Sequence, residues 1–587
     1  MIDETRGAVP QRRWLAVAVA ACILVGAGCT GRIGPASGSG TGDGGAGGGN
    51  ETTCTPALTA ACTGTEIQAS KRIVRLTFNQ FVNSIRSLLG TAIADQLANN
   101  ANYSIVDSTH RSFPPLSSPR EGINITDNVW DTADRMAQDV AKYVFDNFAT
   151  VTSCTGTNVT DTCAQNWVRG FAAKAYRRPL DATETTEINK VYADVKALTG
   201  PPGTIQEATQ YSVYAALSSP FFLYRTELGA EASSAMGKLT PYELASQLSY
   251  FLTDGPPDPT LTAAAAANTL STEAEVRAHV DRILATDAAK TNLHDAMMSY
   301  FAIQALETIV VQDPTFTNAV RSSMYHESDL FLRNTLWGGK LAELLTSTKS
   351  PINETLAPIY GVSWPPAGVT LDADGFGMTQ LPATRAGMLT QGGFLVARAR
   401  PMAGSVVGRG LLVNAALVCN VNPPFPESLA GEIEAANVLL ADATEQEKAA
   451  YRADRSRPCA TCHPNFDVYG LALENFDTIA RYREVDDKGR PIDAHGTLPP
   501  KLGCETVDGA VALASKLTAT DAFAACIATN TMGYALSQTT GGSGTNSCAT
   551  RAVIDRFKAA GEGTFASLVR EIAVSQTLAV RNAGGAQ

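Results

Sequence analysis

Residues 457–483 read RPCATCHPNFDVYGLALENFDTIARYR, and the rest of the chain is organised around this stretch. Near its start, Cys459 and Cys462 lie three positions apart and His463 follows directly. This spacing is typical of covalent haem attachment, because both thiols can reach the vinyl groups of one porphyrin while the imidazole binds the iron. With 12 cysteines and 6 histidines in 587 residues, about 0.0025 chance matches are expected. The sequence therefore predicts one covalent haem c.

A haem-free interpretation of the same residues stays open. Cys459 and Cys462 can instead form a disulfide or remain a dithiol that happens to precede a histidine. A zinc site would need a second pair of cysteines or histidines at comparable spacing, and the sequence has none. These alternatives lead to two different classes of function, a redox protein and a binding protein.

Length and charge limit the class of protein. The chain is long enough for roughly three to five packed units, and its 44% hydrophobic and 18% charged residues fit a globular body. No internal run approaches the roughly 20 apolar residues of a membrane span. The net charge of −11 argues against nucleic acid as a partner, because phosphate binding needs a basic surface. It favours a basic redox partner protein.

Residues 1–28 have the pattern of an export signal. Arg12 and Arg13 precede the mostly apolar residues 14–27, a run too short to span a bilayer. The sequence VGAGC at residues 25–29 resembles a bacterial lipobox, which would make Cys29 the lipidated first residue; ordinary cleavage nearby is the alternative. We predict an exported protein, in the periplasm or at the cell surface, held to the outer membrane only by this N-terminal lipid anchor.

The remaining cysteines suggest disulfides, as expected of an exported chain. Residues 29–70 form a tether whose first half is rich in Gly and Ser, and the candidate cysteines follow from its end onward: Cys54, Cys62, Cys154, Cys163, Cys419, Cys504, Cys526 and Cys548. Proximity in sequence favours Cys54 with Cys62, Cys154 with Cys163, and Cys526 with Cys548. Cys419 and Cys504 would then pair with each other or remain free.

The hydrophobic pattern of the body predicts a mainly α fold. Apolar residues recur at helical spacing, and helix starts are marked by capping boxes at Thr77, Thr240 and Thr272. Sustained alternation of the kind that predicts strands is scarce. We predict several consecutive small helical domains with long loops: an N-terminal domain at 71–150, a domain with YRRPL at 151–230, a domain with LSYFL at 231–370, the CxxCH unit at 380–502 and a C-terminal domain at 505–582.

Other polar residues near the motif have two interpretations each. Asp467 and Glu474 could act as paired carboxylates in acid/base chemistry, although ion pairs that fix a tight loop are the expected role. Arg481 and Arg483 could bind haem propionates, since a guanidinium matches carboxylate geometry. The catalytic residues, if there are any, stay unknown.

The sixth ligand of the iron decides between electron transfer and catalysis, because two strong axial ligands favour the former. The candidates are His495, Met532, Met402 and Met388. A solvated loop position for the histidine, core filling for the methionines and an open sixth position are the alternatives. The sequence does not choose among them.

Read together, these motifs resemble those of exported multi-domain proteins of planctomycetes and myxobacteria, which consist of several domains of unknown function and include a planctomycete cytochrome c-like CxxCH domain. The likeness is carried by residues 75–77, 85–90, 171–180, 219–225, 248–252, 353–361, 385–387, 409–410, 459–483, 523–536 and 565–577. Phe466, Val468 and His495 depart from that family's usual Met, Pro and small residue. The resemblance implies a helical architecture with a cytochrome c-like unit and leaves the activity open.

Overall fold

The computed structural model describes residues 73–103, 127–198, 203–229, 236–397, 405–420, 427–537 and 548–582. These residues form a mainly α structure of several small helical domains with a few short strands, which confirms the predicted fold class. Several predictions lie outside the described residues: the signal peptide, the lipidation of Cys29, the tether, Cys54, Cys62 and Met402.

The first part of the described chain is a helical domain closed by two short strands. Its elements are β1 (Ile73–Arg75), α1 (Phe78–Leu89), α2 (Thr91–Ala98), α3 (Asp127–Asp146), α4 (Phe148–Thr152), α5 (Asp161–Ala175), α6 (Ala182–Lys196), α7 (Ile205–Ser218), α8 (Pro220–Leu223) and β2 (Tyr224–Thr226). Helix α7 packs against α3, α5 and α6. Strand β1 pairs antiparallel with β2 and places Val74 opposite Arg225.

The middle part carries longer helices and a second antiparallel strand pair. Its elements are β3 (Met236–Lys238), α9 (Pro241–Thr253), α10 (Pro259–Ala266), α11 (Glu273–Leu284), α12 (Asp287–Tyr300), α13 (Asn318–Gly338), α14 (Glu343–Thr346), β4 (Lys349–Ile352), α15 (Ala357–Tyr360) and β5 (Gly377–Gln380). Strand β4 pairs with β5, and α13 packs against β4.

The last part contains the CxxCH stretch between two groups of helices. Its elements are α16 (Gly392–Val396), α17 (Val406–Ala416), α18 (Ala430–Leu439), α19 (Glu445–Ala453), α20 (Asp467–Leu471), β6 (His495–Thr497), β7 (Thr506–Asp508), α21 (Gly509–Ala519), α22 (Asp521–Leu536), α23 (Cys548–Ala560), α24 (Phe565–Ala573), α25 (Gln576–Ala579) and β8 (Val580–Asn582). Strand β6 pairs with β7, and β8 returns to pair with β3.

The predicted capping boxes are present at the helix starts. At α1 the Thr77 hydroxyl accepts from the Gln80 backbone N–H at 3.2 Å, and the Gln80 side chain accepts from the Thr77 N–H. The same reciprocal bonds start α9 at Thr240 and α11 at Thr272. Each box satisfies backbone donors that a helix start otherwise leaves unpaired. The sequence therefore fixes these three starts locally.

Two large apolar cores stabilise the described chain. One collects buried side chains between Leu76 and Leu223, together with Tyr250 of α9. The other runs through buried side chains from Leu239 to Leu578, and includes residues just after the CxxCH motif. Because α9 contributes to both cores, the first helical domain is joined to the rest by apolar contact.

A buried polar network ties the middle part of the chain to the CxxCH stretch. The Glu327 carboxylate accepts from Ser350 Oγ at 2.6 Å and from Tyr360 Oη at 2.5 Å. Burial raises the pKa of Glu327 to about 7. The two hydrogen bonds lower this pKa, but by less than burial raises it. The Arg385 guanidinium lies 4.2 Å from the centre of the Tyr360 ring and donates to the Ala480 carbonyl at 2.5 Å. This hydrogen bond holds the Ala480 backbone against the middle part of the chain.

No single helix among the described residues is long and apolar enough to cross a membrane. One bent pair, Gly509–Ala519 with Asp521–Leu536, passes the same test of length and composition when its two helices are taken together.

Candidate cofactor-attachment site

The CxxCH motif forms two short 3-10 turns at the surface. The first spans Pro458–Thr461 and the second His463–Asn465, each with a proline in its first turn. Proline suits these positions because its fixed φ is already helical and its missing N–H has no partner to lose. The Cys462 N–H donates to the Cys459 carbonyl at 3.1 Å. Both thiols are free and partly exposed.

His463 is oriented by a buried carboxylate one turn further along the chain. Its Nδ1 lies 2.9 Å from Asp467 Oδ1, and its ring lies 4.8 Å from the ring of Phe466. Within the described residues Nε2 has no hydrogen-bond partner. A histidine that donates through Nδ1 to a carboxylate presents Nε2 as the metal-binding atom.

Asp467 and Glu474 lie in separate ion pairs rather than in one pair of carboxylates. Asp467 Oδ2 accepts from Arg452 Nε at 2.6 Å, and Glu474 Oε1 accepts from Arg483 Nη2 at 2.9 Å. Burial raises the pKa of Glu474 to about 7, and the nearby arginines oppose this shift. These contacts fit the prediction that the two acids fix the loop.

Arg409 holds the loop that follows the motif. Its fully buried guanidinium donates to the carbonyls of Leu473, Phe476 and Asp477 at 3.0, 2.6 and 2.7 Å. Burial lowers the pKa of Arg409 to about 10, while nearby acids oppose the shift. A stretch without regular secondary structure needs such partners, since buried carbonyls left unpaired are costly.

Two glycines allow α17 and α20 to pack at backbone contact. A Cβ on Gly410 would lie 2.3 Å from the Phe466 carbonyl oxygen, and a Cβ on Gly470 would lie 1.9 Å from the Val406 carbonyl oxygen. No side chain fits at either position. This close contact fixes α20, and with it Asp467, against the helix that carries Arg409.

The two arginines predicted to bind propionates line a polar cavity of about 530 Å³. Arg481 contacts Asp477 at 2.6 Å and Asp313 at 2.7 Å, and Arg483 contacts Glu474 and Asp487. Acids outnumber bases on the wall, which is formed mainly by residues 441–448 and 474–493. Both guanidiniums are therefore engaged by the protein's own carboxylates.

The described sixth-ligand candidates lie in different environments. His495 begins β6, is 60% exposed and faces Asp493 and Asp508 at 3.1 and 3.4 Å. Strand β6 packs against α20, and a Cβ on Gly496 would meet the Val468 side chain. Met388 and Met532 are buried in the large apolar core. Filling of the core accounts for both methionines.

Arg452 and the stretch 457–483 carry four buried side-chain groups without a hydrogen-bond partner among the described residues: Arg452 Nη2, Arg457 Nε, Tyr469 Oη and Arg483 Nε. Of these, Arg457 Nε lies 3.6 Å from Asp454 Oδ2 in an ion pair. Arg457 stacks on the Tyr451 ring at 3.6 Å and donates to its hydroxyl. The sequence analysis missed Arg452, Arg457 and Tyr469. In the sequence, only the closeness of Arg457 and Tyr469 to the motif points to them. The contact between Arg452 of α19 and Asp467 can be seen only in the fold.

The disulfides correct the predicted partner of Cys526, and also the prediction that Cys419 and Cys504 pair with each other or remain free, since Cys419 pairs with Cys526 and Cys504 is disulfide-bonded. Cys154 pairs with Cys163, as their spacing predicts. The predicted Cys526–Cys548 bridge is wrong, because Cys526 pairs with Cys419; proximity in space, set by α17 packing near α22, overrides proximity in sequence. Cys504 and Cys548 are also disulfide-bonded. Cys459 and Cys462 are free, so the bridge of the haem-free alternative is not formed here.

Across the described ranges, no cluster of three or more His, Cys, Asp and Glu side chains has an arrangement suited to a metal ion. The motif thus offers one histidine and two thiols rather than a set of protein ligands around a bare ion. A covalent porphyrin needs only these three groups from the motif.

Three regions match models of domains of unknown function. Residues 163–227 match PSD5, Protein of unknown function (DUF1595), residues 239–362 match PSD4, Protein of unknown function (DUF1592), and residues 385–486 match PSCyt3, Protein of unknown function (DUF1588). No curated protein and no solved structure matches the chain. The CxxCH motif, Arg385 and Arg409 all lie in the third region. The chain is thus a multi-domain protein in which three consecutive regions are domains of unknown function.

Proposed function

We propose that this chain is an exported, lipid-anchored protein that carries one covalent haem c and acts in electron transfer or as a haem-dependent oxidoreductase at the cell envelope. One observation supports this most directly. The motif presents two free thiols, and a histidine whose Nδ1 is held by Asp467, so that Nε2 is available to iron. The family resemblance to planctomycete cytochrome c-like proteins points in the same direction.

Each residue of the motif has a defined role in this proposal. Cys459 and Cys462 would form the thioethers to the porphyrin, and His463 would bind the iron through Nε2. A haem bound here would supply one-electron redox chemistry. The surrounding chain would keep the imidazole in a fixed orientation through Asp467 and Phe466.

The propionates have two sets of candidate partners. Arg481 and Arg483 remain candidates by residue type, although protein carboxylates already engage both. Arg452 is added to them because its Nη2 is buried without a hydrogen-bond partner in the described part of the chain, and Nε of Arg483 is buried in the same way. A propionate carboxylate would satisfy such a donor at low cost, since charge-assisted hydrogen bonds are the strong ones.

The export and partner predictions belong to the same proposal. A signal at residues 1–28 and lipidation of Cys29 would place the body outside the cytoplasm, where c-type haem is attached. The net charge of −11 suits a basic redox partner. Labelled fatty acid should enter the wild-type protein and not Cys29→Ala; equal labelling of both would argue against the anchor.

A second function, a haem-free surface binding or scaffold protein, is favoured by the polar cavity that residues 474–493 help to line. Its charged wall is fixed by ion pairs within the protein, such as Arg481 with Asp477. A wall of this kind suits polar recognition and needs no cofactor. The two defined disulfides are also compatible with a rigid extracellular scaffold.

Intact mass separates the two functions. The full chain is produced in a host with cytochrome c maturation machinery, next to the double variant Cys459→Ala/Cys462→Ala. Covalent haem adds about 616 Da to the wild-type protein and nothing to the variant. A folded, exported wild-type protein without this added mass and without a Soret band would overturn the haem proposal. A mutual disulfide would instead lower the mass by about 2 Da.

A further inference from the structure

We infer that Asp467 is a positioning residue that lowers the reduction potential of a haem held by His463. The inference rests on the proposed haem and deepens it. It comes from the contact between His463 Nδ1 and Asp467 Oδ1 at 2.9 Å.

The Asp467 carboxylate is fixed from both sides. It is 5% exposed. One oxygen faces the imidazole, and the other accepts from Arg452 Nε at 2.6 Å. Because Arg452 holds Oδ2, the carboxylate cannot rotate away without breaking an ion pair whose two side chains are both largely buried. Gly470 adds to this rigidity, since it keeps α20 at backbone contact with α17.

A carboxylate on Nδ1 changes what Nε2 does. It accepts the Nδ1 proton, fixes the tautomer and raises the basicity of the opposite nitrogen. A more basic ligand and a nearby negative charge both stabilise ferric iron over ferrous iron, and they act more strongly in a poorly solvated site. The positive charge of Arg452 offsets part of the field. Arg452 contacts Asp467 Oδ2, whereas the imidazole contacts Oδ1. The negative charge of the carboxylate therefore determines the net effect on the iron.

The consequence for function is a lower reduction potential than the same haem would have without the carboxylate. A reduced haem held here would give up its electron more readily to an acceptor of given potential. The acidic chain would meet a basic partner for this transfer.

The test compares reduction potentials of the full haem-loaded chain. Asp467→Asn keeps the shape of the side chain and removes its charge. Outer-shell partners of metal-binding histidines typically change metal affinity by 10–100-fold. We expect the ferrous-to-ferric ratio at a fixed potential to rise at least about tenfold, which is an upward shift of ~59 mV for one electron. Asp467→Glu, which retains the charge, should lie closer to the wild type.

Asp295→Asn is the matched control. Asp295 Oδ1 lies 3.0 Å from His294 Nδ1, the same kind of pair in a different region of the chain. The reduction potential of the Asp295→Asn protein should equal that of the wild type. An Asp467→Asn protein that carries haem and has an unchanged potential overturns the inference while leaving the haem proposal standing. A wild-type protein without covalent haem overturns both.

A second measurement covers the case in which Asp467→Asn does not mature. In the wild-type protein in a diamagnetic ferrous state, six-coordinate as isolated or as its carbon monoxide complex, proton–nitrogen NMR should find the Nδ1 proton of His463 downfield of an unbonded imidazole N–H, as a hydrogen bond to a carboxylate requires. An Nδ1 proton at the position of an unbonded imidazole would contradict the inference.

Discussion

Arg581 Nε lies 2.5 Å from the carboxylate of Glu227, and both side chains are buried although 354 positions separate them in the sequence. Arg225 approaches the same carboxylate at 3.4 Å. One acid thus serves two buried arginines, at the place where β8 returns to β3.

Removal of this acid should destabilise the protein strongly. Glu227→Ala leaves two arginines buried without their carboxylate, and breaking a buried pair in this way costs about 3–5 kcal/mol. The free energy of unfolding from urea titration measures the loss. Asp146→Ala is the control, because its pair with Lys142 is exposed and should be worth at most about 1 kcal/mol. Similar losses for both variants would show that the buried cluster has no special role.

Glu327 should make stability fall as the pH rises. Its pKa is raised from 4.5 to about 7 in the folded protein. Between these values the unfolded chain releases the proton first, so the folded state loses stability as the pH increases, and the loss is complete above about pH 7. Glu327→Gln cannot lose a proton. Relative to the wild type it should gain about 3 kcal/mol between pH 4 and pH 8.

The check for Glu327 is urea unfolding of both proteins at several pH values. The exposed Glu434→Gln serves as the control for the removal of one carboxyl charge. A flat difference between Glu327→Gln and the wild type would mean that the buried carboxyl group does not titrate in this range.

Substitution of Gly470 by alanine should separate α17 from α20. The added Cβ would lie 1.9 Å from the Val406 carbonyl oxygen, and overpacking of this kind costs about 1–3 kcal/mol or more. Gly431→Ala is the matched control, since nothing lies within 4 Å of its Cβ and α18 is helical there. It should gain about 0.5–1 kcal/mol. Equal urea midpoints for the two variants would contradict the backbone contact.

The Cys419–Cys526 bridge should contribute more stability than Cys154–Cys163. The sequence separations are 107 and 9 residues, and in the chain-entropy model the longer loop is worth about 4–5 kcal/mol against about 3 for the shorter one. Paired Cys→Ser variants measure this difference. Non-reducing peptide mapping should find a peptide that links residues 419 and 526; a peptide that links 526 and 548 would contradict the assignment.

The sequence predicted what is local and missed what is distant. The starts at Thr77, Thr240 and Thr272 could be found because a capping box uses residues three positions apart. The prediction that Cys526 pairs with Cys548 was wrong because it relied on closeness in the sequence. Nothing in the sequence places Cys419 beside Cys526.

At the candidate site, the CxxCH spacing and the acid four positions after its histidine were visible in the sequence. The link between that acid and Arg452 was not, because α19 approaches α20 only through tertiary packing. The link from Arg385 to Ala480 depends on packing in the same way. Roles of buried arginines are difficult to predict, since their partners here are mostly backbone carbonyls, which every residue has.

The pairing of β3 with β8 also sets an order of events in time. Residues 236–238 leave the ribosome long before residues 580–582, so this pair forms only after the CxxCH motif has been synthesised. The larger core, which includes Leu578, is likewise complete only when the last described residues have been made. In the haem protein proposed above, the thiols of Cys459 and Cys462 would therefore be available for attachment before this core is complete.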